Sequence, residues 1–246
     1  MFAPPSPTIA DLSAAFQAAY SYEAPFIETL KTTAGSEELA VAPAALTPVG
    51  DGRLALVVRE TNGMLAHMAL GAVSIAYVAR PPRAGGPWRR IGLWPQIAFN
   101  GETGGDDLTL DVRRDLGARP LLFVSAPTLF TGDSEDDAIV IRLDADHPSP
   151  IGRVSLQSSD EDAVDQRLPR HSYRGRIVPA KGAGLFAVRY EGWRAAAGSA
   201  MKQPFHGTVA YGLRDGCLAA LGPLPAPEIT VSYSAPADCG PAKAAP

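Results

Sequence analysis

From Arg53 onward the chain is a succession of short apolar or alternating runs, each closed by Gly, Pro or Asp. No segment of crossover-helix length lies between them. Parallel strands need a crossover of a dozen or more residues, whereas antiparallel strands need only a turn. Such a sequence is therefore confined to antiparallel meanders. The candidate strands are Leu54–Arg59, Ala72–Val78, Trp88–Leu93, Leu108–Val112, Leu121–Ser125, Ala138–Leu143, Arg153–Leu156, Arg174–Val178, Leu185–Tyr190, Thr208–Leu213, Cys217–Leu221 and Ile229–Tyr233. The 24 glycines and 23 prolines among 246 residues supply the turns and leave little room for long helices.

Ahead of this body, Leu12, Ala15, Phe16 and Ala19 share one face at helical spacing, which predicts a helix over Asp11–Tyr20 with Asp11 as its cap. A weaker helix is expected around Ala24–Lys31. Residues 32–48, rich in Thr, Ala and Pro, read as a connector. The expected organisation is an N-terminal helical segment and connector over 1–48, a β-rich domain over 49–222, and a Pro/Ala-rich tail over 223–246 that carries one strand.

The strands recur. The runs starting at Leu54, Leu121 and Leu185 align, as do those at Gly71, Asp137 and Gly207, and those at Arg89, Arg153 and Cys217, at offsets of 64 to 70 residues. Leading strands at Leu108 and Arg174 complete the second and third units. Three units of three to four strands resemble propeller blades, although propellers typically have four to eight. An open arc, a sandwich or a barrel fits the same pattern.

Four segments carry a family resemblance: Asn62–Val78, with His67, Gly71-Ala72 and Tyr77; Pro87–Pro95, ending Trp94-Pro95; Phe186–Gly192; and Val209–Gly216. Together they are similar to a group of bacterial envelope or secreted β-rich proteins, over roughly residues 50–222. The resemblance implies a β-rich fold and an exported setting, and implies no activity. Met1 to Thr8 has no basic residue and no apolar run, so a periplasmic or secreted location requires that a signal peptide has been removed. Otherwise the expectation is cytoplasmic. No run is long and apolar enough to span a membrane as a helix. A net charge of −4 argues against a nucleic-acid partner.

Charge is distributed in blocks. Residues 133–165 hold ten acids and two arginines; residues 166–214 hold nine basic residues and one glutamate. Asp133, Glu135, Asp137 and Asp144 fall at positions 1, 3, 5 and 12 of a calcium-type loop, where hard oxygen ligands suit Ca²⁺. Ala138 occupies the position that wants Gly, so the alternative is a solvated acidic hairpin. No other cofactor is expected. In the basic block, Arg167, Arg170, Arg174 and Arg176 crowd around His171 and Tyr173, a set suited to phosphate, sulfate or an anionic glycan. Adjacent blocks of opposite sign favour mutual pairing over a ligand.

No catalytic residue is assigned. Function is expected to be binding of a ligand or partner, a glycan or a protein, by a non-catalytic envelope module. The alternative is a hydrolase centred on Ser134 or His67. Gly132-Asp133-Ser134 is similar to the opening motif of GDS-type esterases, and Asp144-Ala-Asp-His147 has their Asp-x-x-His form, but His147 lies only 13 positions after Ser134. Trp88 and Trp94, six apart, are expected to share a core face; with Trp193 they are also candidates for a sugar platform. Cys217 and Cys239 form the one pairing that two cysteines allow, a disulfide suited to an oxidising compartment.

Overall fold

A computed structural model of the 246-residue chain describes residues 7–21, 26–32, 35–61, 71–83, 86–100, 108–130, 133–160, 168–182 and 184–229. It is mainly β. One helix, α1 (Ile9–Tyr20), precedes thirteen strands among the described residues: β1 (Phe26–Thr32), β2 (Gly35–Gly50), β3 (Arg53–Thr61), β4 (Gly71–Ala79), β5 (Arg89–Asn100), β6 (Thr109–Arg113), β7 (Leu121–Phe130), β8 (Asp133–Leu143), β9 (Pro148–Ser159), β10 (Arg170–Val178), β11 (Phe186–Ala195), β12 (Gln203–Arg214) and β13 (Cys217–Ala220). They form two meanders, a five-stranded sheet β1–β5 and an eight-stranded sheet β6–β13, in which every neighbour in sequence is a neighbour in space. Two Asp-Gly turns, Asp51-Gly52 and Asp215-Gly216, have positive φ at both central residues, the hairpin geometry whose twist matches the strands it joins.

The chain divides into two compact units: Met1–Asp106 with Leu143–Ser149 and Pro241–Pro246, and Asp107–Arg142 with Pro150–Gly240. The boundary expected at residue 48 falls inside β2, and the single β domain expected over 49–222 is shared between the two units.

In the first unit, α1 covers one sheet face. Ala15, Phe16 and Ala19 are buried against Val41, Leu54, Leu56, Val58, Ala76 and Val78. Asp11 is not the cap but the third residue of a capping box: Thr8 Oγ1 accepts from Asp11 N (3.1 Å) and Asp11 Oδ2 from Thr8 N (2.9 Å). That backbone bond from Thr8 holds the Asp11 carboxyl below its ordinary range. The helix expected near Ala24–Lys31 is instead β1, and the expected connector is the sixteen-residue β2. Ile27, Thr29 and Thr32 are β-branched and stiff in a helix, and a paired neighbour along the whole segment decides the outcome. Pro43 and Pro48 mislead in the sequence because each sits at a register shift, where a missing N–H breaks no ladder bond.

The opposite face of this sheet carries Tyr77, whose ring meets Trp94 edge-on at 5.0 Å and whose hydroxyl donates to Asp144 O (2.6 Å). Trp88 packs with the helix-side cluster, whereas Trp94 packs with Tyr77 on the other face. The shared face expected for them is lost at the register shift between Tyr77 and Val78, where β5 inserts one residue and reverses its parity. A second bulge in β5 puts Gln96 at φ 49°, its N–H donating to Ser74 Oγ (2.8 Å). Ser74 donates in turn to Glu60, a carboxylate only 1% exposed.

The second unit shows why four-strand units do not make separate blades. The recurrent strands are real: β2–β5, β6–β9 and β10–β13 follow the expected order, with β2 as the leading strand of the first group. Propeller blades are not hydrogen-bonded edge to edge, yet β9 pairs with β10 through Ser159↔Ser172, Ser158↔Tyr173 and Gln157↔Arg174. The second and third groups therefore fuse into one sheet, and that sheet curls. Phe123 of β7 meets Phe186 of β11 with ring centroids 5.1 Å apart. In a flat sheet, strands four places apart are about 19 Å from each other at the usual spacing. Gly152 of β9 likewise lies against Leu218 of β13, so closely that a Cβ would meet that of Leu218 at 2.9 Å. The enclosed core runs from Leu121, Phe123 and Val140 through Tyr173, Tyr190 and Tyr211 to Leu218, Ala226 and Ile229. The curl needs bare backbone beneath the aromatic rings. A Cβ on Gly175 would strike the Tyr190 ring at 2.9 Å, and one on Gly192 would strike Ser172 O at 2.3 Å.

Candidate functional site

The register of β9 through β12 sorts their side chains onto two faces. On the core-side face, one row runs Asp160, His171 and then the exposed Arg194 and Gln203; the next runs Ser158, Tyr173, Gly192, Phe205. Outside are Arg170, Ser172, Arg174 and Arg176 of β10, with Arg189, Glu191 and Trp193 of β11 and His206 of β12.

The inner rows build a chain of polar contacts that descends into the core. Ser158 Oγ lies 2.8 Å from His171 Nε2, and His171 Nδ1 lies 3.0 Å from Asp160 Oδ2. Asp160 Oδ1 also accepts from the backbone N–H of His171, and Asp160 N donates to His171 O (3.1 Å). The imidazole stacks on Tyr173 at 5.8 Å. Tyr173 OH meets Ser155 Oγ (2.9 Å), while Tyr190 OH donates to Ser155 O (3.0 Å) and meets Tyr211 OH (2.8 Å). Burial pushes the Tyr173 phenol up to about 12, and raises those of Tyr190 and Tyr211 too. These phenols are therefore neutral hydrogen-bonding groups across the physiological range. At the rim the groups are less enclosed: Ser158 is 8% exposed, and the side chains of His171 and Asp160 are each 20% exposed.

The expected anion set is thus divided. Arg170, Arg174 and Arg176 are outside, His171 and Tyr173 inside, and Arg167 lies outside the described residues. On the outer face Arg176 stands directly opposite Arg189, and Arg174 opposite Glu191; Arg174, Arg176 and Arg189 are exposed. Lys202 Nζ sits 3.9 Å over the Trp193 ring, so this tryptophan is engaged by a cation.

The expected calcium loop is a strand. Asp133, Glu135 and Asp137 alternate along β8, whose ten steps to Leu143 span about 33 Å, and Asp144 follows at the far end. One ion does not bridge that length. Among the described residues no three His, Cys, Asp or Glu side chains gather as a metal site. Asp136 alternates with Glu135 and Asp137, onto the face that carries core residues Ala138 and Val140, and burial raises its carboxyl pKa.

No histidine is brought to Ser134 among the described residues; His147 Nδ1 pairs with Asp146 (3.0 Å), and His67 lies outside them. Cys217, at the start of β13, is bonded in a disulfide, and Cys239 lies outside the described residues. In the sequence Asp160 and Arg189 stand out only as members of the charge blocks, and Ser155 and Ser158 carry no signal. Ser158 and Asp160 have the i, i+2 spacing of one strand face, but the expected strand stopped at Leu156. No family model, curated protein or solved structure matches this chain.

Proposed function

We propose that this protein is an exported β-rich binding module that holds an anionic glycan against the outer face of β10–β12. The observation that carries the reading is the Arg176↔Arg189 pair. Like charges directly opposite each other on an antiparallel pair are destabilising. Here they stand beside Arg170 and Arg174, with Glu191 as the acid of the rows they occupy. A sulfate or carboxylate placed between the two guanidiniums relieves their repulsion and meets planar donors in a fixed fork. Of the acidic block that the sequence offered as a partner, Asp133, Glu135, Asp136 and Asp137 lie on β8, two strands away from β10, and Asp160 is engaged by His171 on the inner face. The exported setting rests on the resemblance and on a Cys217–Cys239 disulfide, which persists in oxidising compartments.

Heparin affinity tests the reading. The wild-type chain, despite its net charge of −4, is expected to be retained at about 0.15 M salt. Arg176→Glu with Arg189→Glu is expected to flow through while unfolding at the wild-type temperature. Flow-through of the wild type overturns the proposal. Equal retention of the two forms does the same.

A further inference from the structure

We infer that Ser158, His171 and Asp160 form a nucleophilic triad that cleaves esters of short carboxylic acids. The connectivity is what acyl transfer requires. A serine hydroxyl is a weak nucleophile until a base on hand takes its proton, and the base must be held in the right tautomer by a third group. Here Ser158 Oγ is 2.8 Å from Nε2, and Asp160 Oδ2 is 3.0 Å from Nδ1 of the same ring. A carboxylate at Nδ1 places the ring proton there and leaves Nε2 as the acceptor that faces the serine.

Strand geometry fixes the arrangement independently of those two contacts. Ser158 and Asp160 project from one face two residues apart, and His171 comes from the partner strand. The Asp160 carboxylate grips His171 twice, at its backbone N–H and at its ring, and the Tyr173 ring backs the imidazole. Asp160 is accordingly a positioning residue that acts through His171. On the other side of His171 the register position on β11 is Arg194, an exposed residue of the same row.

The reaction balances with these groups and water. Ser158 Oγ bonds to the ester carbonyl carbon while its proton moves to His171 Nε2. The tetrahedral intermediate collapses, the bond to the alcohol oxygen breaks, and Nε2–H protonates the departing alkoxide. Water then repeats the sequence on the acyl-serine, giving up a proton to Nε2 and receiving the acyl group, and Ser158 recovers its proton. The substrate class follows from access. Oγ belongs to a residue only 8% exposed, so the acyl chain that reaches it is short, while the alcohol portion extends toward the rim.

A fluorophosphonate probe and p-nitrophenyl acetate test the inference on the full chain. The probe is expected to add to the wild type, with peptide mapping placing it on Ser158. Ser158→Ala is expected to abolish labelling, and His171→Gln to slow it by about a hundredfold or more. Asp160→Asn is expected to lower kcat for the acetate with KM unchanged, a split that a merely structural loss does not produce. Ser158→Cys preserves side-chain volume and guards against misfolding in the alanine variant. Its thiol is expected to react with iodoacetamide about a hundredfold faster than in Ser158→Cys with His171→Gln. A folded wild type that stays unlabelled, labelling at another serine, or equal ester hydrolysis by wild type and Ser158→Ala overturns the triad.

Discussion

The tyrosine network at the centre of the second unit makes a quantitative demand. Tyr190→Phe deletes one oxygen and leaves the ring, so packing is conserved and the loss is one of hydrogen bonding. That oxygen serves two partners, Ser155 O at 3.0 Å and Tyr211 OH at 2.8 Å. A net intramolecular hydrogen bond contributes about 1 kcal/mol, and an orphaned buried partner adds to the cost. Both partners sit in a core where Tyr190 and Tyr211 are fully buried. The expected loss is therefore about 2 kcal/mol or slightly more. Tyr211→Phe removes only the shared contact and is expected to lose about 1 kcal/mol. In the double variant that contact disappears once rather than twice, so the two losses should fall short of additivity by about 1 kcal/mol. Hydrogen exchange of β11 amides, read by mass spectrometry, isolates this unit from the other. A loss below about 0.5 kcal/mol for Tyr190→Phe, together with additive variants, would refute the view that the network is a coupled, fully desolvated unit.

Alkali should act through the same residues. A phenol whose folded pKa is raised contributes stability that is complete below its unfolded value of about 10 and is lost as pH climbs through the folded value, about 12 for Tyr173. Circular dichroism is expected to stay flat up to about pH 10 and then to fall in step with a late rise of phenolate absorbance; phenolate formation that precedes unfolding would contradict the assigned burial. For the disulfide, thiol titration of the unreduced, denatured chain is expected to find no free sulfhydryl, and two free sulfhydryls would remove the argument for an oxidising compartment.

The strands of this protein are a local matter. Short apolar runs such as Leu54–Arg59 and Leu121–Ser125, bounded by Asp-Gly or Pro, specify extended antiparallel hairpins without reference to anything distant. The helix is equally local, since Leu12, Ala15, Phe16 and Ala19 mark its buried face within one span. What stayed hidden depends on partners. β2 is a strand because β1 and β3 pair along it and its prolines fall at shifts in register, and neither fact resides in residues 35–50 themselves. The same holds for the faces of Trp88 and Trp94, which one inserted residue in β5 reverses.

The outer arginines were within reach of the sequence, because Arg170, Arg174 and Arg176 are even-numbered where His171 and Tyr173 are odd. Alternation alone separates them once the strand is extended back to Arg170. Asp160, His171 and Ser158 are another matter. Ten residues separate Asp160 from His171, and no spacing rule says that they will stand opposite each other. The β9–β10 register decides it, and that register is set by which residues the curled sheet buries, down to Tyr173 and Tyr190 over Gly192 and Gly175. A slip of one residue would turn His171 to the solvent face and the arginines inward. The sequence by itself thus determined strands and their order, through steric preferences that act over a few residues. The tertiary structure decided which side chains meet, because register is chosen by burial across the whole sheet.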